Sequence, residues 1–218
     1  IELNDGQGLR VTHYLELDGS IDLVGESQLV QDEGSTLDQD SGGFIERDQQ
    51  GTANSFNYNY WSSSVGPING NTGTRGVGTA STNSPFSIGG VIKDGRTSAT
   101  PANITYNSSP YAADSGSVAS LTISSYCLYQ FYGKDDDYNS WFPLINHNYL
   151  LEPGVGYTIQ GSLGAGAITS NQNYVFKGKP YNGNITLKLE KTHIVPSGDV
   201  DRLIGNPYPS AIDATAFI

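Results

Sequence analysis

The stretch "LRVTHYLELDGSIDLVGESQLVQDEGSTLDQDSGGFIER", residues 9–47, decides the fold. Apolar residues come in short alternating bursts: Leu15 and Leu17, Ile21 and Leu23, Leu29, then Leu37, Phe44 and Ile45. Gly19, Gly25, Gly34 and the pair Gly42 and Gly43 interrupt them at turn spacing. A period of two puts the apolar side chains of each burst on one face of a strand. Such short strands with regular breaks fit a meander or the rungs of a β-solenoid, and the pattern L-x-L-x-G-x-I-x-L-x-G favours the solenoid. So short a stack needs a cap or a longer array, because a rung buries its apolar side only against its neighbours.

Beyond residue 47 the spacing changes. A turn-rich passage leads into a β segment, Phe56 to Trp61, and residues 66–85 form a long Gly/Thr/Asn/Ser loop. Strands are expected at 86–93, 103–106, 118–132, 141–145, 149–151, 155–161, 173–177, 184–190 and 200–204, with Gly, Asn and Pro turns between them. That spacing fits a β-sandwich of jelly-roll type. Asn182-Gly183 reads as a hairpin turn feeding Ile185, Leu187 and Leu189. Pro209, with Ser210 and Asp213 in capping-box spacing, marks a short C-terminal helix. The expected organisation is therefore all-β, with solenoid-like rungs or a cap over 1–47 and a sandwich over 48–218.

The 218 residues include 27 Gly and 14 Tyr but no Met, and 22 acidic against 11 basic side chains give a net charge of −11. That charge repels phosphate backbones and anionic membranes, which argues against nucleic acid as a partner. No apolar run approaches the length of a membrane-spanning helix, so direct membrane insertion is not expected. Cys127 is alone, which excludes an intrachain disulfide and a cysteine metal site. The missing methionine and the apolar end "ATAFI" suggest a piece cut from a longer polypeptide, with the sandwich truncated at its C-terminal end.

Four passages, in order, carry a resemblance: "YNYWSSSVGP" (58–67), "EPGVGYTIQGS" (152–162), "VFKGKPYNGNITLKL" (175–189) and "LIGNPYPSAIDATAFI" (203–218). Together they resemble large secreted cell-surface proteins of the Bacteroidota, commonly exported by type IX secretion. Such proteins usually read YWSSPVG where this chain has Ser64. The resemblance implies export, surface display and an adhesive, filament or matrix role; it supplies no catalytic residue.

No nucleophile motif or metal-binding helix signature occurs, and His13, His147 and His193 lie in unrelated contexts, so no enzyme activity is expected. Asp135, Asp136 and Asp137 crowd one loop, a donor set suited to Ca²⁺ though without the spacing of an EF-hand. Asp199 and Asp201 form a lesser pair of the same kind. Aromatics are the other candidates. Tyr58 and Tyr60 share one strand face and Trp61 takes the other, while Tyr126 and Tyr132 oppose Tyr129 and Phe131. Such rings serve either a sandwich core or a surface for sugar rings or a protein partner. Tyr60, Trp61, Tyr132 and Trp141 are the candidate ligand residues.

The expected function is a non-catalytic module of a secreted bacterial surface protein, an adhesin, filament or scaffold unit. The alternative is a carbohydrate-binding module or a noncatalytic part of a polysaccharide-degrading enzyme. Partners would be a surface glycan, a protein, or further domains of the same polypeptide. If the aspartate loop holds Ca²⁺, EDTA lowers the melting temperature, which differential scanning calorimetry reads directly.

Overall fold

The computed structural model describes residues 1–38, 40–70, 83–97, 99–109, 121–161, 171–188, 200–213 and 215. It opens with six short strands, β1 (Glu2–Leu3), β2 (Gly8–Val11), β3 (Tyr14–Leu15), β4 (Ser20–Leu23), β5 (Gln28–Gln31) and β6 (Thr36–Leu37). They pair in parallel as β1 with β4, β2 with β5 and β3 with β6, so each set of three is one rung of a three-sided solenoid. Backbone bonds climb from rung to rung: Val24 N–H donates to Leu3 O, Gln28 to Gln7, Thr36 to His13 and Asp38 to Leu15. The inward columns are Leu3 under Leu23, Leu9 under Leu29 and Leu15 under Leu37. Leu23, Leu29 and Leu37 are completely buried, each worth about 1.5–3 kcal/mol of apolar burial.

Corners are set by local chemistry. Gly25 has φ +58°, and a Cβ there would collide with the Asp5 carboxylate, which accepts from Glu26 N–H at 2.7 Å. Only glycine combines that backbone with that space.

The third rung begins with β7 (Phe44–Thr52), parallel to β4, but the chain does not turn again. On its far side β7 pairs antiparallel with β19 (Asn171–Pro180) over eight registered positions, from Ile45 with Gly178 to Thr52 with Asn171. One solenoid face and one sandwich layer are thus a single sheet. The division expected at residue 47 lies inside β7. Between these strands come β8 (Tyr58–Trp61), β9 (Val65–Gly66), β10 (Phe86–Ser87), β11 (Ile92–Asp94), β12 (Ala102–Asn103) and β13 (Thr105–Asn107). They are followed by β14 (Thr122–Ser124), β15 (Tyr129–Gly133), β16 (Trp141–Pro143), β17 (Leu150–Leu151) and β18 (Tyr157–Gln160), with β20 (Asp201–Arg202) last.

The first sheet runs β1-β4-β7-β19-β11-β12, and the second runs β16-β15-β18-β8. They face each other as a sandwich: Trp61 on β8 meets Tyr174 at 5.0 Å and Phe176 at 6.0 Å, both on β19. A single apolar cluster runs from Leu23 and Ile45 in the solenoid to Val155, Tyr157 and Tyr181 in the sandwich.

Segment 203–211 ties the two parts together. Leu203 inserts beside β15, its N–H donating to Phe131 O while its carbonyl accepts from Gly156 N–H, and Gly205 N–H donates to Gly154 O. Gly156 is required there, because a Cβ would lie 2.5 Å from Leu203 Cγ. Pro207 and Pro209 then carry the chain to the open top of the second rung. Pro209 O accepts from Leu29 N–H at 2.9 Å, and Ala211 N–H donates to Gln28 Oε1 at 2.8 Å. Asn182 adds a bond from its amide to Ser35 O at 3.1 Å. Since β7 leaves without completing its rung, Pro209 O takes the acceptor position over Leu29 that a further strand stacked on β5 would fill.

Several expected elements differ. The strand at 86–93 is broken by α1 (Ile88–Val91), one helical turn whose Gly90 N–H is capped by the Ser87 hydroxyl. The strand at 118–132 resolves into β14, a 3-10 turn over Ser125–Cys127, and β15. Residues 184–188 are not a strand. Asn182-Gly183 turns no hairpin because Asn182 is held by Ser35 and Asn83, and Tyr181, fully buried, donates to Ser84 O. The C-terminal helix lies outside the described residues apart from Thr215, whose N–H donates to Asp213 Oδ1.

Leu29→Ala should cost about 2–4 kcal/mol in urea unfolding, since it empties a buried position under the 203–211 segment. On the outer side of the shared sheet Glu2, Asp22 and Glu46 stack in register. Burial, then Glu46, Asp48 and Glu2, hold the Asp22 carboxyl above its ordinary value. A raised carboxyl contributes stability that is present at low pH and lost as pH rises through its titration. Asp22→Asn should therefore raise stability at pH 7 by a few tenths of a kcal/mol, allowing for solvent screening, and leave it unchanged near pH 3.

Candidate functional site

The outer face of the second sheet carries a cluster of rings. Alternation on β8 sends Tyr58 and Tyr60 outward and Trp61 inward, as the sequence pattern anticipates. Register sets Tyr60 opposite Thr158, and Thr158 opposite Tyr129, across β8, β18 and β15. Phe131 pairs with Trp141 on β16, their rings 4.9 Å apart and edge-on. Trp141 also meets Tyr60 edge-on at 6.2 Å, and Tyr58 meets Tyr129 at 6.4 Å. Edge-on pairs of this kind hold one another in place without closing over the surface.

Between them lies a cleft of about 220 Å³, lined by Tyr58, Tyr60, Tyr129, Tyr138, Trp141 and Thr158. Tyr60 is 60% exposed and Tyr138 is 84% exposed. The volume is below the range of drug-sized ligand sites, and it suits a single ring more than an extended molecule. Burial, then the Cys127 thiol and Tyr129, push the Tyr58 phenol up to about 12, so it stays protonated and able to donate at neutral pH.

The four candidate ligand residues divide. Tyr60 and Trp141 come together in the cleft. Trp61 faces the opposite sheet and belongs to the core. Tyr132 points away from Tyr129 and Phe131 along β15, and the Arg202 guanidinium lies 5.4 Å from its ring. Tyr138 was not singled out from the sequence; it sits in a 3-10 turn, Tyr138–Ser140, that strand alternation cannot read.

The same turn accounts for the aspartates. Asp137 accepts from the Asn139 backbone and side-chain amides, both at 2.9 Å, while Asp135 and Asp136 point to solvent. Among the described residues no group of three or more His, Cys, Asp or Glu side chains converges as a metal site would require. Asp199 lies outside the described residues, and Asp201 is exposed on β20. Cys127 is buried and unpaired. His13 lies at a solenoid corner, His147 stacks on Tyr106 at 4.2 Å, and His193 lies outside the described residues. No described helix is long and apolar enough to cross a membrane.

A β-solenoid fused to a sandwich with an open aromatic face defines the class of protein. The chain belongs to the family described as a domain of unknown function, DUF8693, whose model matches residues 81–218. No curated protein matches the chain, and no solved structure does.

The division between Trp61 and Tyr60 has a measurable consequence. Trp61→Ala should cost about 3 kcal/mol of stability through the void left beside Tyr174 and Phe176. Tyr60→Ala, on the same strand, should change it by about 0.5 kcal/mol or less in the same denaturant titration.

Proposed function

We propose that this chain is a non-catalytic binding module of an exported bacterial surface protein, and that its aromatic cleft holds a sugar ring. The observation that carries the reading is the exposure of Tyr60 and Tyr138, beside the half-buried Trp141, around one small cleft on a rigid sheet. Aromatic side chains that serve only as core do not stand open to water in a group. A pyranose offers apolar C–H faces to such rings and hydroxyls to their polar edges. Here the phenols of Tyr58, Tyr60, Tyr129 and Tyr138 line the cleft as hydrogen-bond partners, over a floor that includes the buried Thr158. Export is supported by the four landmark passages and by a surface rich in Asn, Ser, Thr and acidic residues. Carbohydrate adhesion at the cell surface joins both properties.

A scaffold role is favoured by a different observation. Leu3, Leu9 and Leu15 in the first rung are only partly buried, whereas their equivalents in the second rung are sealed. A further rung stacked beneath would complete them.

A glycan array followed by isothermal titration tests the binding reading. A hit whose affinity falls about tenfold or more in both Tyr60→Ala and Trp141→Ala, with melting temperature unchanged, is the expected result. Equal binding by wild type and both variants would refute the assignment of the cleft.

A further inference from the structure

A second cavity, of about 320 Å³, adjoins the aromatic cleft, and Tyr60 lines both. It opens where segment 203–206 passes the end of β8, and Arg47 on β7 forms part of its wall. Arg47 stands in the inward column of the solenoid, above Leu3 and Leu23, and opposite Phe176 on β19. A charged side chain in an otherwise leucine column needs a reason.

No ion pair or hydrogen bond supplies it. The Arg47 Nε is sealed from solvent and has no hydrogen-bond partner, and the Ser62 and Ser64 hydroxyls in the same wall are equally sealed and unpartnered. Ser64 is only 5% exposed. The described ion pairs all involve other residues, namely Arg10 with Asp32, Arg96 with Asp94 and Lys177 with Glu46. Among charged groups facing Arg47, Glu26 acts on it from a distance, and burial holds the guanidinium below its ordinary value. Buried donors without acceptors are rare in folded proteins and cost about 1–3 kcal/mol each, more when charged. Three of them belong to residues that line one cavity, where the chain itself provides no acceptor for them.

A guanidinium fork matches a carboxylate in plane and spacing, and two hydroxyl donors beside it complete the set. Tyr60, Trp61, Phe176 and Tyr208 add four aromatic side chains to the wall, which suits a ring bearing the acid. We propose that this cavity is a carboxylate subsite, in which Arg47, Ser62 and Ser64 receive the acid group of a uronate unit while a neighbouring sugar ring rests in the Tyr60–Trp141 cleft. The proposal rests on the glycan reading of that cleft and names its substrate class as acidic polysaccharide. Recognition is by contact and not by attraction at range, because the chain as a whole carries −11 and repels anions.

The test compares a galacturonate trimer with its methyl ester, which keeps the ring and removes the charge, by isothermal titration. The acid should bind about tenfold or more tightly than the ester. Arg47→Gln should bring the acid down to the level of the ester, and Ser64→Ala should weaken the acid alone. Neither variant should lower the melting temperature, since neither the Arg47 Nε nor the Ser64 hydroxyl has a hydrogen-bond partner to lose. Equal binding of acid and ester, lost together in Tyr60→Ala, would overturn the subsite and leave the glycan reading standing; it is the result expected if water alone fills the cavity. Acid binding that depends on Arg47 but not on Tyr60 would keep the carboxylate site and remove the ring cleft. Binding of neither ligand would overturn both.

Discussion

Strand β7 is the constraint on which the molecule depends. Its lower edge continues a parallel solenoid ladder, and its upper edge begins an antiparallel sandwich sheet. Parallel and antiparallel ladders demand different hydrogen-bond spacing, and a strand between them must present one pattern on each side. Ile45, Glu46 and Arg47 have both neighbours, Phe44 has only β4, and the remainder have only β19. Because the strand leaves the solenoid direction in this way, the second rung is left with an uncovered top. The rest of the architecture answers that vacancy: Asn182 reaches Ser35, and Pro209 reaches Leu29.

The open aromatic face follows from the same geometry. The second sheet is packed on one side only, against β19, so alternation leaves Tyr58, Tyr60, Tyr129 and Trp141 outside while Trp61 and Tyr157 go inside. The proposed glycan cleft, lying on a sheet face, has rigid backbone under most of its rings, so little conformational entropy would be lost on binding. The Arg47 cavity is of a different kind. It is a defect in the apolar column, kept where the two layers and the 203–206 segment meet.

Much of the fold is legible in the sequence because parallel rungs repeat their chemistry. Leu3, Leu23 and Leu9, Leu29 sit at equal spacing, and Gly25 marks the corner that Asp5 crowds. The sandwich is legible as a set of strands but not in its joins. An Asn-Gly pair predicts a hairpin from local preference, yet Asn182 is claimed by Ser35 and Asn83, contacts more than a hundred residues away in the first case. Likewise nothing local announces that Leu203 enters between Phe131 and Gly156, although Gly156 is a trace of it. In the site, face alternation separates Tyr60 from Trp61 correctly, while Tyr138 depends on a 3-10 turn that has no period-two signal. Arg47 had a signal that was available: a cation at the third place in a leucine column.

The reach of segment 203–211 has a consequence for the order of assembly. Ala211 closes on Gln28 across 183 residues of chain. Contacts so distant are formed only after the entropy of closing that loop has been met, and folds dominated by them are slow. The first two rungs remain roofless until residues 203–211 are in place. A ribosome releasing the solenoid rungs ahead of segment 203–211 would therefore deliver an unfinished solenoid with an exposed edge, and that segment would act as the latch that ends its vulnerability to mispairing.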